Sequence, residues 1–275
     1  MAILTIDKDK CKKDGICAQE CPVAIIRLDR DDGHPKMVPG GEPMCLACGH
    51  CVAVCPHGAL SHKLVPIEAC PSIIKDLKVS PEQAVQLLRS RRSVRVYEDR
   101  AVEKEKIQRL IEIARYGPTA SNVQPLEWLV ITKRSEIKTI SGLTVNWMRQ
   151  SLGEQGNSAG AYPYASLIVA AWDAGFDAIL RNAPVLVIAS APKEADNGLV
   201  DLTIALSYLE LAAVSVGLGT CWAGLLQAAL RNWPPLRKVV ALPEGHIHHY
   251  PMMLGYPKFQ YFRLPERKEP KITWR

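Results

Sequence analysis

Cys45-Leu46-Ala47-Cys48-Gly49-His50-Cys51-Val52-Ala53-Val54-Cys55-Pro56 places four thiols within a single short stretch, and the organisation of the whole chain follows from it. Subtracting 34 from Cys45, Cys51 and Cys55 lands on Cys11, Cys17 and Cys21, so the stretch is the second copy of an internal repeat. Both copies end in Cys-Pro, at Cys21-Pro22 and Cys55-Pro56, and both carry glycine at the matching position, Gly15 and Gly49. Seven of the nine cysteines lie in this repeat; only Cys70 and Cys221 lie outside it.

The second copy reads Cys-x2-Cys-x2-Cys-x3-Cys-Pro, the spacing of a bacterial-type iron–sulfur run in which the fourth cysteine serves the other cluster. A zinc site would use two Cys-x2-Cys pairs and has no use for a third cysteine and a Cys-Pro in duplicate. No apolar segment follows Met1-Ala2-Ile3-Leu4, so a secretory signal is not expected, and a reducing, cytoplasmic setting disfavours disulfides.

On these motifs, residues 1–65 resemble a bacterial-type ferredoxin domain with two 4Fe-4S clusters. The resemblance implies one cluster on Cys45, Cys48, Cys51 and Cys21, and a second on Cys11, Cys17 and Cys55. The repeat departs from the pattern at one place, where Asp14 stands opposite Cys48. Asp14 through its carboxylate, a water, or an empty corner of a 3Fe-4S cluster would complete the second site; a solvated loop acid is the plainer alternative. An oxygen ligand suits soft iron–sulfur corners poorly, so this cluster is expected to be the labile one. His50, His57 and His62 read as surface or loop histidines because the cysteines already fill seven of eight corners. Cys70 reads as a linker residue.

The rest of the chain is composed differently. Hydrophobic residues make up 48% and charged residues 23% of the 275 residues, which excludes a disordered or collagenous chain. Residues 1–70 hold eight basic and nine acidic side chains, a net −1, and the remainder holds 26 and 19, a net +7, so the larger segment is the basic one. No nucleic-acid motif or long basic run accompanies it. The apolar stretch from Leu199 to Leu218 contains Asp201 and Glu210, which argues for a buried helix over a membrane span.

Residues 66–80 read as a linker, with Pro66 and Pro71 and no clear period. Ser80 as N-cap and Pro81 at the first position then open a helix whose apolar stripe is Ala84, Leu87 and Leu88. Arg91-Arg92-Ser93-Val94-Arg95 follows, with guanidinium forks suited to phosphate oxygens. Ile107, Leu110, Ile111 and Ala114 mark an amphipathic helix. Beyond it runs the polar loop Gly117-Pro118-Thr119-Ala120-Ser121-Asn122-Val123-Gln124-Pro125, which leads into a strand expected at 128–132.

The order Arg-Arg-Ser-Val-Arg, helix, Pro-Thr-Ala-Ser-Asn-Val-Gln-Pro-Leu-Glu-Trp resembles the nitroreductase family. Gly217-Leu218-Gly219-Thr220-Cys221-Trp222-Ala223-Gly224, Leu254-Gly255-Tyr256-Pro257 and Arg263-Leu264-Pro265 continue it, so the resemblance covers about residues 82–267. It implies an α+β fold over 81–275, a homodimer, and FMN at two interface sites. By the same resemblance Arg91, Arg92, Ser93 and Arg95 hold the phosphate and ribityl chain, with Arg263 on the phosphate. Pro118, Thr119, Ala120, Ser121 and Asn122 reach the flavin from the partner subunit. Ala223 and Gly224 turn backbone N–H groups toward the flavin N5 edge. Gln124, Cys221 and Trp222 belong to the same lining segments, although the Cys221 thiol itself reads as buried and inert.

Leu199, Leu202, Leu206, Leu209, Ala213 and Val216 form a heptad-like seam, read here as the dimer contact, with burial inside one monomer as the alternative. His246, His248 and His249 sit in a strand pattern and are not read as a metal site. Trp147 and Tyr162 are candidates to cover a substrate or to fill the core. No Gly-x-Gly-x-x-Gly opens a helix, so a Rossmann site for NAD is not indicated, while direct hydride delivery from NAD(P)H stays open. Two joined segments of this kind imply an oxidoreductase in which single electrons enter through clusters and leave in pairs from FMN to a nitroaromatic, quinone or activated alkene. Flow in the opposite direction, or a relay to a protein partner, is also compatible.

Overall fold

The computed structural model describes residues 2–155 and 164–275, and Tyr162 lies outside them. The chain divides into two compact units, Met1–Lys78 with Ser121–Val123, and Val79–Ala120 with Gln124–Arg275.

In the first unit the sequence repeat becomes a backbone repeat. Helix α1 (Ile16–Gln19) and helix α2 (His50–Ala53) are 34 residues apart, each entered from a left-handed glycine, Gly15 at φ 75° and Gly49 at φ 73°. Lys13 and Ala47 are also left-handed at matching positions, as are Ala24 and Gly58. Strands β1 (Leu4–Ile6), β2 (Ile26–Leu28), β3 (Pro35–Met37) and β4 (Leu60–His62) pair as β1 with β4 and β2 with β3, both antiparallel. Leu4, Ile25, Ile26, Ala59 and Leu60 make a small core with Cys17. Within this unit the Asn122 side-chain amide donates to the carbonyl oxygens of Leu46 and Ala47, at 3.0 and 3.2 Å. The segment expected as a linker contains short 3-10 turns at Ile67–Ala69 and Lys75–Leu77, and the Cys70 thiol donates to the Pro66 carbonyl.

The second unit begins with α3 (Pro81–Ser90). Ser80 accepts from the Gln83 backbone and Gln83 returns a bond to the Ser80 N–H, a complete capping box. Of its expected apolar stripe, Ala84 and Leu87 are half-buried and Leu88 is exposed. Helix α4 (Lys104–Ala114) buries Ile107, Leu110 and Ala114, with Ile111 half-buried, as its period requires. Four antiparallel strands form one sheet in the order β5 (Glu127–Ile131), β6 (Val185–Pro192), β8 (His246–Gly255), β7 (Gly219–Trp222). β5 starts one residue before the expected strand, and β8 extends four residues earlier than Tyr250.

Helices α5 (Arg134–Gln155), α6 (Ala165–Asp173), α8 (Gly224–Asn232) and α9 (Pro234–Val240) pack on one side of this sheet, around Ile188, Leu226 and Met253. Trp147, on α5, is half-buried against that core. Helix α7 (Gly198–Ser215) and α4 cover the other side, around Val187, Leu206 and Met252. Helix α7 is long and apolar enough to cross a membrane by length and composition, but its inner face is core.

That inner face corrects the dimer-seam expectation. Leu202, Leu206, Leu209 and Ala213 are completely buried inside the unit, because the row that repeats every three to four residues is what the sheet and α4 cover. The surface α7 leaves uncovered is the opposite one, with Val200, Tyr208 and Val214 exposed.

Candidate functional site

In the first unit the thiols separate into two cavities. Cys21, Cys45, Cys48 and Cys51 line one, together with Leu4, Ile26 and His62. Cys11, Cys17 and Cys55 line the other, together with Asp14, Lys13 and His57. The chain crossing at each Cys-Pro therefore sends one cysteine of each copy to the other copy's cavity. All are free thiols. Among the described residues no three His, Cys, Asp or Glu side chains converge as on a single metal ion. Burial raises the Cys17 thiol above its ordinary range and pushes Cys51 up to about 11. Such thiols stay protonated at neutral pH unless a metal draws off the proton.

Asp14 faces its cavity from the turn before α1. One carboxylate oxygen accepts the Ile16 backbone N–H at 3.2 Å, and the other is 3.8 Å from His57 Nε2. The three nearby histidines differ from the surface reading in one case: His50 and His57 are exposed, but His62 is buried on β4. Its Nε2 is 3.5 Å from Cys45 Sγ, and burial lowers its basicity. The signal available in the sequence was its place two residues after Leu60 in a strand, on the face that points inward.

In the second unit the arginine segment meets the 217–224 and 254–257 motifs through backbone contacts. The Val94 N–H donates to the Thr220 carbonyl at 2.8 Å, and Tyr97 bridges Pro257. A Cβ on Gly219 would lie 2.3 Å from Val94 Cγ2 and 3.0 Å from Pro257 Cγ, and one on Gly255 would lie 2.7 Å from Tyr97 and Pro184. Neighbouring side chains pack directly onto these glycines and leave no room for a Cβ.

Glu210, a buried residue of α7 that the sequence reading did not select, ties three of the predicted residues or their neighbours together. Its carboxylate accepts from Thr220 Oγ1 at 3.1 Å, from Trp222 Nε1 at 3.1 Å and from Arg91 Nη1 at 3.3 Å. Arg91 is therefore paired with a carboxylate rather than standing clear for an anion. Arg92 lies over the Tyr261 ring at 5.9 Å, and Arg95 is exposed. Arg95 borders an open cavity with Arg134, Arg181 and Asn182. Ser93 hydrogen-bonds the Cys221 thiol, which burial raises above its ordinary range even with Arg95 and Arg181 nearby. Arg263 is exposed in the segment after β8.

The polar loop is held from α7 as well. Buried Asp201 accepts the Ala120 N–H at 3.1 Å, and Thr119 Oγ1 accepts the Gln124 N–H at 3.0 Å. Ser121, Asn122 and Gln124 all have positive φ, near 50°, a concentration of backbone strain in non-glycine residues. Pro118 is exposed at the head of the loop.

One expectation is corrected at the turn into α8. The Ala223 N–H donates to the Pro251 carbonyl at 3.0 Å, so it does not face a ligand: β7 ends there and its last ladder contact uses that donor. Gly224, as first residue of the helix, has no intrahelical acceptor for its own N–H. The histidines of β8 have protein partners: His246 Nδ1 bonds Ser190 Oγ at 2.8 Å, and His249 Nδ1 bonds Gln227 Oε1 at 3.0 Å.

Comparison with known proteins agrees with this division. The pattern described as Nitroreductase family matches residues 88–256, and that described as 4Fe-4S dicluster domain matches residues 3–56. A curated protein of Methanothermobacter thermautotrophicus, named for NADH dehydrogenase or NAD(P)H nitroreductase activity, is 27% identical over 186 residues, covering 66% of this chain and 81% of its own. A ferredoxin of Methanothermococcus thermolithotrophicus is 37% identical over 62 residues, 22% of this chain and 97% of the ferredoxin. The crystal structure of a nitroreductase with bound FMN from Bacteroides fragilis superposes with a TM-score of 0.55 at 21% identity, covering 70% of this chain and 97% of that one. The chain thus has the α+β nitroreductase fold and is an oxidoreductase that belongs to the nitroreductase family, with a 4Fe-4S dicluster domain at its N-terminal side.

Proposed function

We propose that the chain is an FMN-dependent oxidoreductase in which electrons enter singly at two iron–sulfur sites and leave in pairs to an electron-poor small molecule, a nitroaromatic, quinone or activated alkene. The observation that carries this reading is the coexistence, in one chain, of two thiol-lined cavities with a nitroreductase-fold unit whose arginine segment borders an open cavity lined by Arg95, Arg134 and Arg181 together with Glu98, Asp99 and Asp177. When bound, FMN supplies storage of two electrons and their release as hydride, and the clusters supply one-electron transfer.

The residues present fit both groups. Cys21, Cys45, Cys48 and Cys51 would hold one cluster, and Cys11, Cys17, Cys55 and Asp14 the other, with the harder carboxylate making it labile, as a 4Fe-4S or a 3Fe-4S centre. Arg92, Ser93, Arg95 and Arg263 would hold the FMN phosphate and ribityl chain, with Arg91 shaping that segment from its pair with Glu210. Pro118, Thr119, Ala120, Ser121, Asn122 and Gln124 would line the flavin. Cys221 and Trp222 would back that site, and Gly224 would offer its backbone N–H. No side chain is required as nucleophile: the protein orients the acceptor and excludes water.

A homodimer completes this reading, with the 118–122 loop serving the partner's site. Its support is uncovered apolar surface: Val200, Tyr208 and Val214 on α7, and Phe262 and Trp274 in the C-terminal segment, the last two 86% and 88% exposed. Gel filtration at monomer size removes the shared-site arrangement.

The deciding experiment is anaerobic. Reconstituted protein is mixed with reduced ferredoxin or with NAD(P)H while flavin absorbance is followed, and then with a panel of acceptors. Reduction through the clusters followed by reoxidation with an acceptor is the expected outcome. Substrate-driven reduction that passes electrons outward reverses the direction, and flavin that reduces but reacts with no small molecule makes the chain a relay to a protein.

A further inference from the structure

We propose that His62 donates a hydrogen bond to Cys45 and thereby raises the reduction potential of the cluster held by Cys21, Cys45, Cys48 and Cys51, making the two clusters of the repeat inequivalent. This rests on the iron–sulfur reading of the two cavities.

The tautomer follows from the partners. His62 Nδ1 accepts the Leu64 backbone N–H at 3.1 Å, so the ring proton of the neutral imidazole sits on Nε2. Nε2 lies 3.5 Å from Cys45 Sγ, within reach of an N–H···S bond, and a ligating thiolate can only accept. The ring has little freedom to do otherwise: His62 is 3% exposed and β4 registers it opposite Leu4.

The direction of the effect is electrostatic. An added electron increases negative charge on the cluster and its cysteine sulfurs, and a fixed donor aimed at one of those sulfurs stabilises the reduced state more than the oxidised one. The cavity lining around it, with Leu4, Ile25, Ile26 and Met37, keeps the local dielectric low and enlarges the effect. A donor shared by both copies cancels in a comparison of the two clusters, and the other cavity has one of its own, the Ala59 backbone N–H, 3.4 Å from Cys55 Sγ. His62 does not cancel, because the residue 34 positions earlier is Leu28, which has no N–H in its side chain. The other cavity has Asp14 where this one has Cys48, and since a ligating thiolate and a ligating carboxylate are both anionic, that exchange adds no charge difference.

The test uses the full chain, loaded with iron and sulfide under anoxia, titrated redox-wise at fixed pH with low-temperature EPR. Asp14→Cys assigns the signals, since it alters only the site of Cys11, Cys17 and Cys55. His62→Leu, which copies the twin position, is expected to move the midpoint of the other cluster to a more negative potential and leave its neighbour in place; His62→Gln, which retains an N–H donor, is expected to move it less. Unchanged midpoints in an iron-replete His62→Leu, or equal shifts of both clusters, overturn the proposal. Pulsed EPR of the parent chain with nitrogen-15 histidine supplies a readout that needs no stable leucine variant: a histidine nitrogen coupling at the cluster that His62→Gln abolishes is expected, and no such coupling in the parent overturns the hydrogen bond. A parent chain that binds iron without any cluster signal instead removes the iron–sulfur reading itself.

Discussion

Glu210→Ala takes away a carboxylate shared by the arginine segment and β7, and the structure sets the size of the loss. The Thr220 residue is 2% exposed, so its hydroxyl has no water to replace Oε1, and an orphaned buried donor costs about 1–3 kcal/mol. Trp222 Nε1 and Arg91 Nη1 lose their acceptor too, but Trp222 is half-buried and the Arg91 side chain is 25% exposed, so water recovers part of each and about 1 kcal/mol apiece remains. The total is about 3–5 kcal/mol, which matches the usual cost of breaking one side of a buried pair and is a large share of the 5–15 kcal/mol that holds a typical domain. In guanidinium, with a slope of about 4 kcal/mol/M, the unfolding midpoint should fall by about 1 M. Glu210→Gln keeps one acceptor oxygen and should fall by roughly a third to a half of that. Tryptophan fluorescence follows the transition. Adding Arg91→Ala to Glu210→Ala should cost less than the two single changes combined, because the arginine no longer faces a lost partner. If Glu210→Ala unfolds at the parent midpoint, the carboxylate does not organise the segment.

Gly219→Ala drives a methyl into Val94 and Pro257, atoms that the Val94–Thr220 backbone bond keeps from moving, and should cost about 1–3 kcal/mol by overpacking; a thermal midpoint equal to the parent's contradicts the close approach. His249 is held neutral by burial, with Arg237 and Arg231 adding to the effect, and titrates at about 4 instead of 6.5. Its depressed value means the unfolded chain takes up the proton first, so its contribution is complete above pH 6.5 and is lost as pH falls toward 4, at most about 3 kcal/mol. The stability difference between the parent and His249→Asn, which keeps a donor toward Gln227, should shrink across that window; a pH-independent difference sinks the assignment. Asp14→Cys should give eight irons' worth of stable cluster signal after exposure to air, where the parent loses part of one; a parent whose two signals both survive oxidation unchanged removes the special role of Asp14.

Much of the first unit was legible because its determinants are local in the chain. Cysteines spaced by two or three residues, a glycine that must be left-handed, and a proline after the crossing cysteine are all written within twelve positions, and a repeat of 34 doubled the signal. The amphipathic helix at Ile107–Ala114 and the capped helix after Ser80 were legible for the same reason, since periodicity and caps are short-range properties. What escaped depends on residues far apart. Glu210 is 119 positions from Arg91 and looked only like an unwelcome charge in an apolar helix. A helix apolar on every face does not say which face another copy covers, and only the packing of α4 and the sheet decided that Leu202, Leu206 and Leu209 lie inside. The Ala223 N–H was lost to Pro251 because strand pairing claims backbone donors that motif matching treats as available.

The amino-acid order alone therefore determined that this chain carries two copies of a thiolate unit followed by the ordered motifs of a nitroreductase, since ligand spacing, turn chemistry and hydrophobic period act over a few residues. Only the tertiary structure decided which thiols share a cavity, that a histidine reaches one of them while its repeat twin is a leucine, and that buried Glu210 and Asp201 hold the arginine segment and the polar loop in place. Those outcomes require groups distant in sequence to meet out of water, where a hydrogen bond left unmade is costly and each partner must be found.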